Sequence, residues 1–156
     1  DFKYDLIISD LPDPKSADLS RLFSREFFNL CRKNLKINGV LVTQATSPLY
    51  SPMAFECINK SMEAAGFRTL KLHNNVPTMG EWGWVAGSVN RSSDMMRKDL
   101  LSADFESRSF RFLNNSAIRM MINRGKQMAD TTGLKVNTLT DPVLVKYYDD
   151  KFWEVY

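Results

Sequence analysis

The stretch Tyr4-Asp5-Leu6-Ile7-Ile8-Ser9-Asp10-Leu11-Pro12-Asp13-Pro14 decides how the chain is read. Its first half is a short, almost continuous apolar run, the pattern of a strand buried on both faces of a parallel sheet. Its second half ends that strand. Each proline biases the residue before it away from the helical conformation, so no helix is expected before about Asp18. Two carboxylates, Asp10 and Asp13, are left on a stiff loop at the carboxyl end of the strand.

Beyond the loop the apolar period changes. Leu22, Phe23, Phe27, Leu30, Cys31 and Leu35 recur at helical spacing, and Asn38-Gly39 supplies a helix stop. Residues 39–43 read as a second buried strand. Ser51 and Pro52 suit the cap and first position of another helix, with Phe55, Ile58, Met62 and Ala65 inside and Gly66 closing it. Residues 67–72 and 82–88 read as two more strands. Residues 1–90 therefore run β-α-β-α-β-β, which predicts parallel pairing through right-handed crossovers. The last two strands are joined too closely for a crossover and must be antiparallel. The expected fold is α/β: the second half of a doubly wound sheet, mainly parallel, with an antiparallel last strand pair.

Residues 91–156 are more polar and less regular. A helix is predicted over 115–128, with Ile118, Met121 and Ile122 on one side, and a short apolar stretch at Val143-Leu144-Val145. This part is read as an extension packed on the same domain. The whole has 156 residues, 44% apolar and 25% charged, the composition of one ordinary globular domain. Net charge is +3 and the basic residues are scattered, so nothing calls for a nucleic-acid partner. No apolar run is long enough to span a bilayer. The two cysteines, Cys31 and Cys57, fall on helical apolar stripes and read as buried free thiols. With one histidine and no Cys/His cluster, no metal site is expected.

In an open α/β sheet, ligands bind beyond the carboxyl ends of the strands. Asp10 and Asp13 fall after the first strand, Gln44, Thr46 and Ser47 after the second, and His73, Asn74, Asn75 and Thr78 after the third. Two carboxylates so placed attract a small cation such as an amine and can accept its proton. The same residue types also serve as ordinary turn formers. Gln44 suits either orientation of a polar ligand or satisfaction of loop backbone. His73 fits packing as well as chemistry. Trp82 and Trp84 read as core, with a cation–π wall as the functional option. Arg119, Arg124 and Lys126 read as a solvated face. The seven glycines form neither a dinucleotide fingerprint nor a phosphate loop.

The blocks Tyr4 to Pro14, Leu41-Val42-Thr43-Gln44-Ala45-Thr46-Ser47-Pro48 and Val76-Pro77-Thr78-Met79-Gly80-Glu81-Trp82-Gly83, in that order, resemble the spermidine synthases, or polyamine aminopropyltransferases. The tail, with Asp141-Pro142-Val143-Leu144-Val145-Lys146-Tyr147-Tyr148, resembles the bacterial branch that carries membrane helices ahead of the catalytic domain. The resemblance implies a methyltransferase-like Rossmann fold. It also implies transfer of an aminopropyl group from decarboxylated S-adenosylmethionine to a diamine such as putrescine, giving spermidine and methylthioadenosine. Asp10 would take the amine proton, and Asp13 and Gln44 would hold the amine. His73 stands where the family usually has a substrate-contacting tyrosine. Leu11 and Pro12 depart from the family's usual Ser-Ser between the two acids.

By the same resemblance, the nucleotide-holding residues belong before the first strand, and this chain has none of them. The isolated chain is expected to be inactive, with no tightly bound cofactor and the nucleotide acting as co-substrate. An unpaired first strand predicts self-association into a homo-oligomer. The implied location is the cytoplasm, at the inner membrane face if the parent protein carries helices. A methyltransferase of the same fold and a non-catalytic polyamine binder are the alternatives.

Overall fold

The computed structural model describes residues 2–123, 125 and 129–148. One mixed sheet holds β1 (Tyr4–Ser9), β2 (Leu35–Gln44), β3 (Arg68–Val76) and β4 (Gly80–Ser88), in the order β1-β2-β4-β3. β1 and β2 are parallel, and β4 runs antiparallel to both β2 and β3. Three strands therefore point one way and β4 alone opposes them. The expected hairpin forms, and its return strand inserts between β2 and β3. The turn chemistry is local. The Met79 N–H donates to the Val76 carbonyl across Pro77-Thr78, and Gly80 follows at φ 73°. A β-turn with a left-handed residue directly after it is a common hairpin closure, and glycine takes that conformation without strain.

Among the described residues six helices flank the sheet: α1 (Ala17–Arg21), α2 (Arg25–Asn34), α3 (Pro52–Ala64), α4 (Ser93–Ser102), α5 (Asn115–Ile122) and α6 (Leu144–Tyr147). Ser16, Ser24, Ser92 and Asn114 each accept a backbone N–H three residues on, which fixes four of the helix starts. α3 begins at Pro52 and buries Phe55, Ile58 and Met62 as its apolar period requires. The first helical stretch differs from expectation. It ends at Asn34, and Asn38-Gly39 lies inside β2. The register jumps from Tyr4↔Leu35 to Leu6↔Val40, so residues 36–39 bulge from the ladder. Glycine suits this close approach, because a Cβ at Gly39 would lie 3.0 Å from the Tyr4 carbonyl and force its neighbours to give by a few tenths of an ångström.

The alternating side chains feed two cores. On one face Phe23, Phe28, Leu41, Phe55, Ile58, Met62 and Val85 pack together with Val143 and Leu144. On the other, Leu70 and Ala86 pack under Met96, Ile118 and Ile122. α3 lies unusually close to β4. A Cβ on Gly83 would stand 2.5 Å from the Phe55 ring, and one on Gly87 would stand 2.5 Å from the Met62 methyl.

β1 departs from its expected burial on both faces. Only Ile7 reaches the first core, while Leu6 is 51% and Ile8 71% exposed. β1 is the sheet edge, and α4 and α5 lie over β3 at the opposite edge. Among the described residues no helix lies over the second face of β1, and an apolar strand so placed stays exposed whatever its composition.

Beyond residue 90 the chain divides between the two faces. α4 was not expected, and α5 ends at Ile122. Arg124, Lys126 and Met128 of the longer predicted helix lie outside the described residues. Residues 134–148 cross to the first core, where Asn137 locks them down. The fully buried Asn137 side chain donates to the Ser20 carbonyl (2.6 Å) and accepts from Ser20 Oγ (3.1 Å) and the Leu144 N–H (3.2 Å). Its backbone N–H donates to Ser61 Oγ (2.8 Å) and its carbonyl accepts the Arg25 N–H (2.9 Å).

Cys31 and Cys57 are buried free thiols, as expected, and burial pushes the Cys57 thiol up to about 12. Among the described residues no helix is long and apolar enough to cross a membrane. No group of metal-ligating side chains is present among them either.

Candidate amine site

The site forms where β1 and β2 end side by side. Parallel pairing through Ser9↔Thr43 brings the Asp10–Asp13 loop against Gln44, the last residue of β2. Pro14 is buried and pins the far end of the loop. Asp13 is half-buried and Asp10 is exposed.

Gln44 organises this corner. Its side-chain carbonyl accepts the Thr46 N–H at 2.8 Å, which leaves its amide hydrogens facing the Leu11 carbonyl (2.7 Å) and Asp13 Oδ1 (3.3 Å). Thr46 reaches the bond only by adopting φ 62°, a strained conformation for a β-branched residue that costs roughly 1–3 kcal/mol. Backbone bonds on both sides hold it: Gly83 N–H to the Thr46 carbonyl (2.8 Å) and Ala45 N–H to the Gly83 carbonyl (2.9 Å). The second carboxylate oxygen of Asp13 accepts the Tyr148 hydroxyl at 2.9 Å. Asp13 is thus held from both sides. Among the described residues Asp10 has no hydrogen-bond or ion-pair partner.

Both acids open on a cavity of about 560 Å³, walled by Ile8, Val42, Val76, Met79, Trp82 and Trp84. The walls are mostly apolar, with the charge gathered at one end. Such a shape suits an aliphatic chain bearing a cationic head. The indole faces add a favourable surface for an ammonium group. The uncommitted carboxylate of Asp10 can accept a proton without breaking any bond of the fold.

The sequence-derived candidates separate here. Asp10, Asp13 and Gln44 converge on one cavity, with both tryptophans in its wall. His73 does not join them. The β3–β4 ladder continues to Val76↔Gly80, so His73, Asn74 and Asn75 lie within β3 and not beyond its end. His73 pairs with Gly83 on the α3 face, opposite Trp82 and Trp84. Its Nδ1 lies 3.3 Å from Glu81 Oε1, in a separate cavity of about 350 Å³ beside Tyr50. Thr46 and Ser47 are buried beneath the site. Sequence reasoning missed Tyr148 altogether. Its hydroxyl on an apolar stretch was the available sign, because a buried tyrosine hydroxyl usually has a partner.

A family profile described as "Spermine/spermidine synthase domain" matches residues 1–99. A polyamine aminopropyltransferase of Oceanobacillus iheyensis is 35% identical over 98% of this chain, which spans 29% of that protein. One of Shewanella oneidensis is 44% identical over 56% of this chain, which spans 15% of that protein. Among solved structures, spermidine synthase from Thermotoga maritima superposes with a TM-score of 0.60 at 21% identity, covering 78% of this chain and 41% of that one. At this identity the superposition shows the shared fold: a Rossmann-like α/β arrangement.

Proposed function

The chain belongs to the spermine/spermidine synthase family, and on that premise we propose that it supplies the amine-binding and proton-accepting part of a polyamine aminopropyltransferase. The observation that carries this reading is the convergence of Asp10, Asp13 and Gln44 on one apolar-walled cavity, with Asp10 alone uncommitted. Asp13, fixed by its neighbours, anchors the ammonium end of a diamine. The alkyl chain lies along Trp82, Trp84 and Met79. Asp10 takes a proton from the reacting ammonium and aligns the resulting lone pair.

The transfer is a direct displacement. The amine nitrogen forms a bond to the propyl carbon next to the sulfonium of decarboxylated S-adenosylmethionine, and the carbon–sulfur bond breaks with its electrons on sulfur. Methylthioadenosine leaves, and the proton resides on Asp10. Holding the nitrogen neutral and in line is the main contribution asked of these residues. The nucleotide is a co-substrate in this scheme. His73 lies outside the cavity, and we assign its pairing with Glu81 to bracing the hairpin.

The test uses the intact gene product with a panel of di- and triamines and, in separate reactions, decarboxylated S-adenosylmethionine or S-adenosylmethionine, read by mass spectrometry. Methylthioadenosine and an amine heavier by one aminopropyl unit support the reading. A methylated amine from S-adenosylmethionine, or no product while amine and donor both bind, would overturn it.

Self-association of the 156-residue segment by itself belongs to the same proposal, because among the described residues β1 forms a sheet edge with Leu6 and Ile8 exposed beside it. Light scattering at high concentration is expected to report species heavier than the 17.9 kDa chain. A strictly monomeric chain would contradict it.

A further inference from the structure

We propose that Tyr148 is a positioning residue of the amine site, so that residues 134–148 are a working part of that site as well as a cover for the first core. The inference rests on the functional reading above. Asp13 is the anchor in that reading, and an anchor must present its carboxylate at a fixed angle. Nothing within the Asp10–Asp13 loop fixes it. Gln44 holds one oxygen from β2, at a long 3.3 Å. The shorter bond, 2.9 Å, comes from Tyr148, 135 residues further along the chain.

The hydroxyl is delivered with precision. The Tyr148 ring is buried in the first core, and its N–H donates to the Leu144 carbonyl at 3.0 Å. Leu144 is fully buried, and its own N–H is tied to Asn137. Asn137 in turn is bonded to α1, to the start of α2 and to α3. A continuous set of packed and hydrogen-bonded groups thus runs from the helical layer to one oxygen of Asp13. Asp10 receives no comparable support. The two acids therefore divide their work: one is aimed by the rest of the protein and the other is left free to take a proton.

The test is Tyr148→Phe in the intact gene product, since phenylalanine keeps the ring in the core. A hydrogen bond to a charged group implies that kcat/KM for the amine falls by about 10- to 100-fold. The loss should appear in the amine KM more than in kcat. In an Asp13→Asn background the same change should alter kcat/KM less than about twofold, because contacting residues couple. Active wild-type protein whose Tyr148→Phe variant is unchanged overturns the proposal. So does an equal loss in both backgrounds, since that is the mark of a structural role.

If the wild-type protein transfers nothing to any amine, the functional reading fails. The contact is then decided by carboxyl-carbon NMR of Asp13. A shift change on Tyr148→Phe at Asp13, with Asp10 unmoved, supports the positioning contact. An unmoved Asp13 signal overturns it.

Discussion

Asp10→Asn in the intact gene product is expected to lower kcat for aminopropyl transfer by about 10²- to 10⁴-fold, the range of a lost general base. The carboxamide matches the carboxylate in size and cannot accept the proton at the same cost. The variant should unfold at the same temperature as the wild type. Asp10 is exposed and has no partner among the described residues, so the fold loses no bond when it changes. That separation between rate and stability is what distinguishes Asp10 from Asp13, whose substitution would disturb bonds to both Gln44 and Tyr148. A fall of less than about tenfold in kcat would remove Asp10 from the proton-accepting role.

Asn137→Ala is expected to have the largest effect on stability, about 3 kcal/mol or more. The side chain is fully buried and makes three hydrogen bonds. Alanine leaves the buried Leu144 N–H and the buried Ser20 hydroxyl without their acceptor, while the Ser20 carbonyl keeps the Phe23 N–H, and each abandoned buried group costs roughly 1–3 kcal/mol. For a protein of this size, 3 kcal/mol corresponds to a fall in Tm of roughly 6–12 °C, measurable by calorimetry. The same variant should weaken amine binding, because Tyr148 reaches Asp13 only while residues 134–148 are docked. A Tm within about 2 °C of wild type would show that these residues are not held through Asn137.

The elements legible in the sequence were those whose signals are local. Pro52 and the Phe55, Ile58, Met62 spacing placed α3 because a proline at the first helical position and the helical period both act within one turn, although the Ser51 side chain makes no capping bond. The short link after Asn74 forced an antiparallel hairpin on geometric grounds alone. The strand-end loop marked Asp10, Asp13 and Gln44 because a parallel pair brings consecutive carboxyl ends together.

What escaped depended on pairing between distant residues. The Asn38-Gly39 dipeptide reads equally as a helix stop or a bulge, and only the register with Tyr4 decides between them. His73 was placed beyond a strand end because nothing local reveals that the hairpin ladder runs on to Val76. The exposure of Ile8 follows from the edge position of β1 and not from its composition. α4 carried a readable signal, Ser92 as cap with Met96 and Leu100 one turn apart, in a stretch dominated by polar residues. Tyr148 and Asn137 act across more than a hundred residues, a distance at which no sequence pattern is informative.

The claim that the Asp10–Asp13–Gln44 cavity is the amine site is tested most directly by a crystal structure of the intact gene product with putrescine bound. The account predicts one diamine nitrogen within hydrogen-bond distance of both Asp10 and Asp13, with the alkyl chain along Trp82 and Trp84. A diamine seated beside His73 and Glu81, on the opposite face of the sheet, would contradict it.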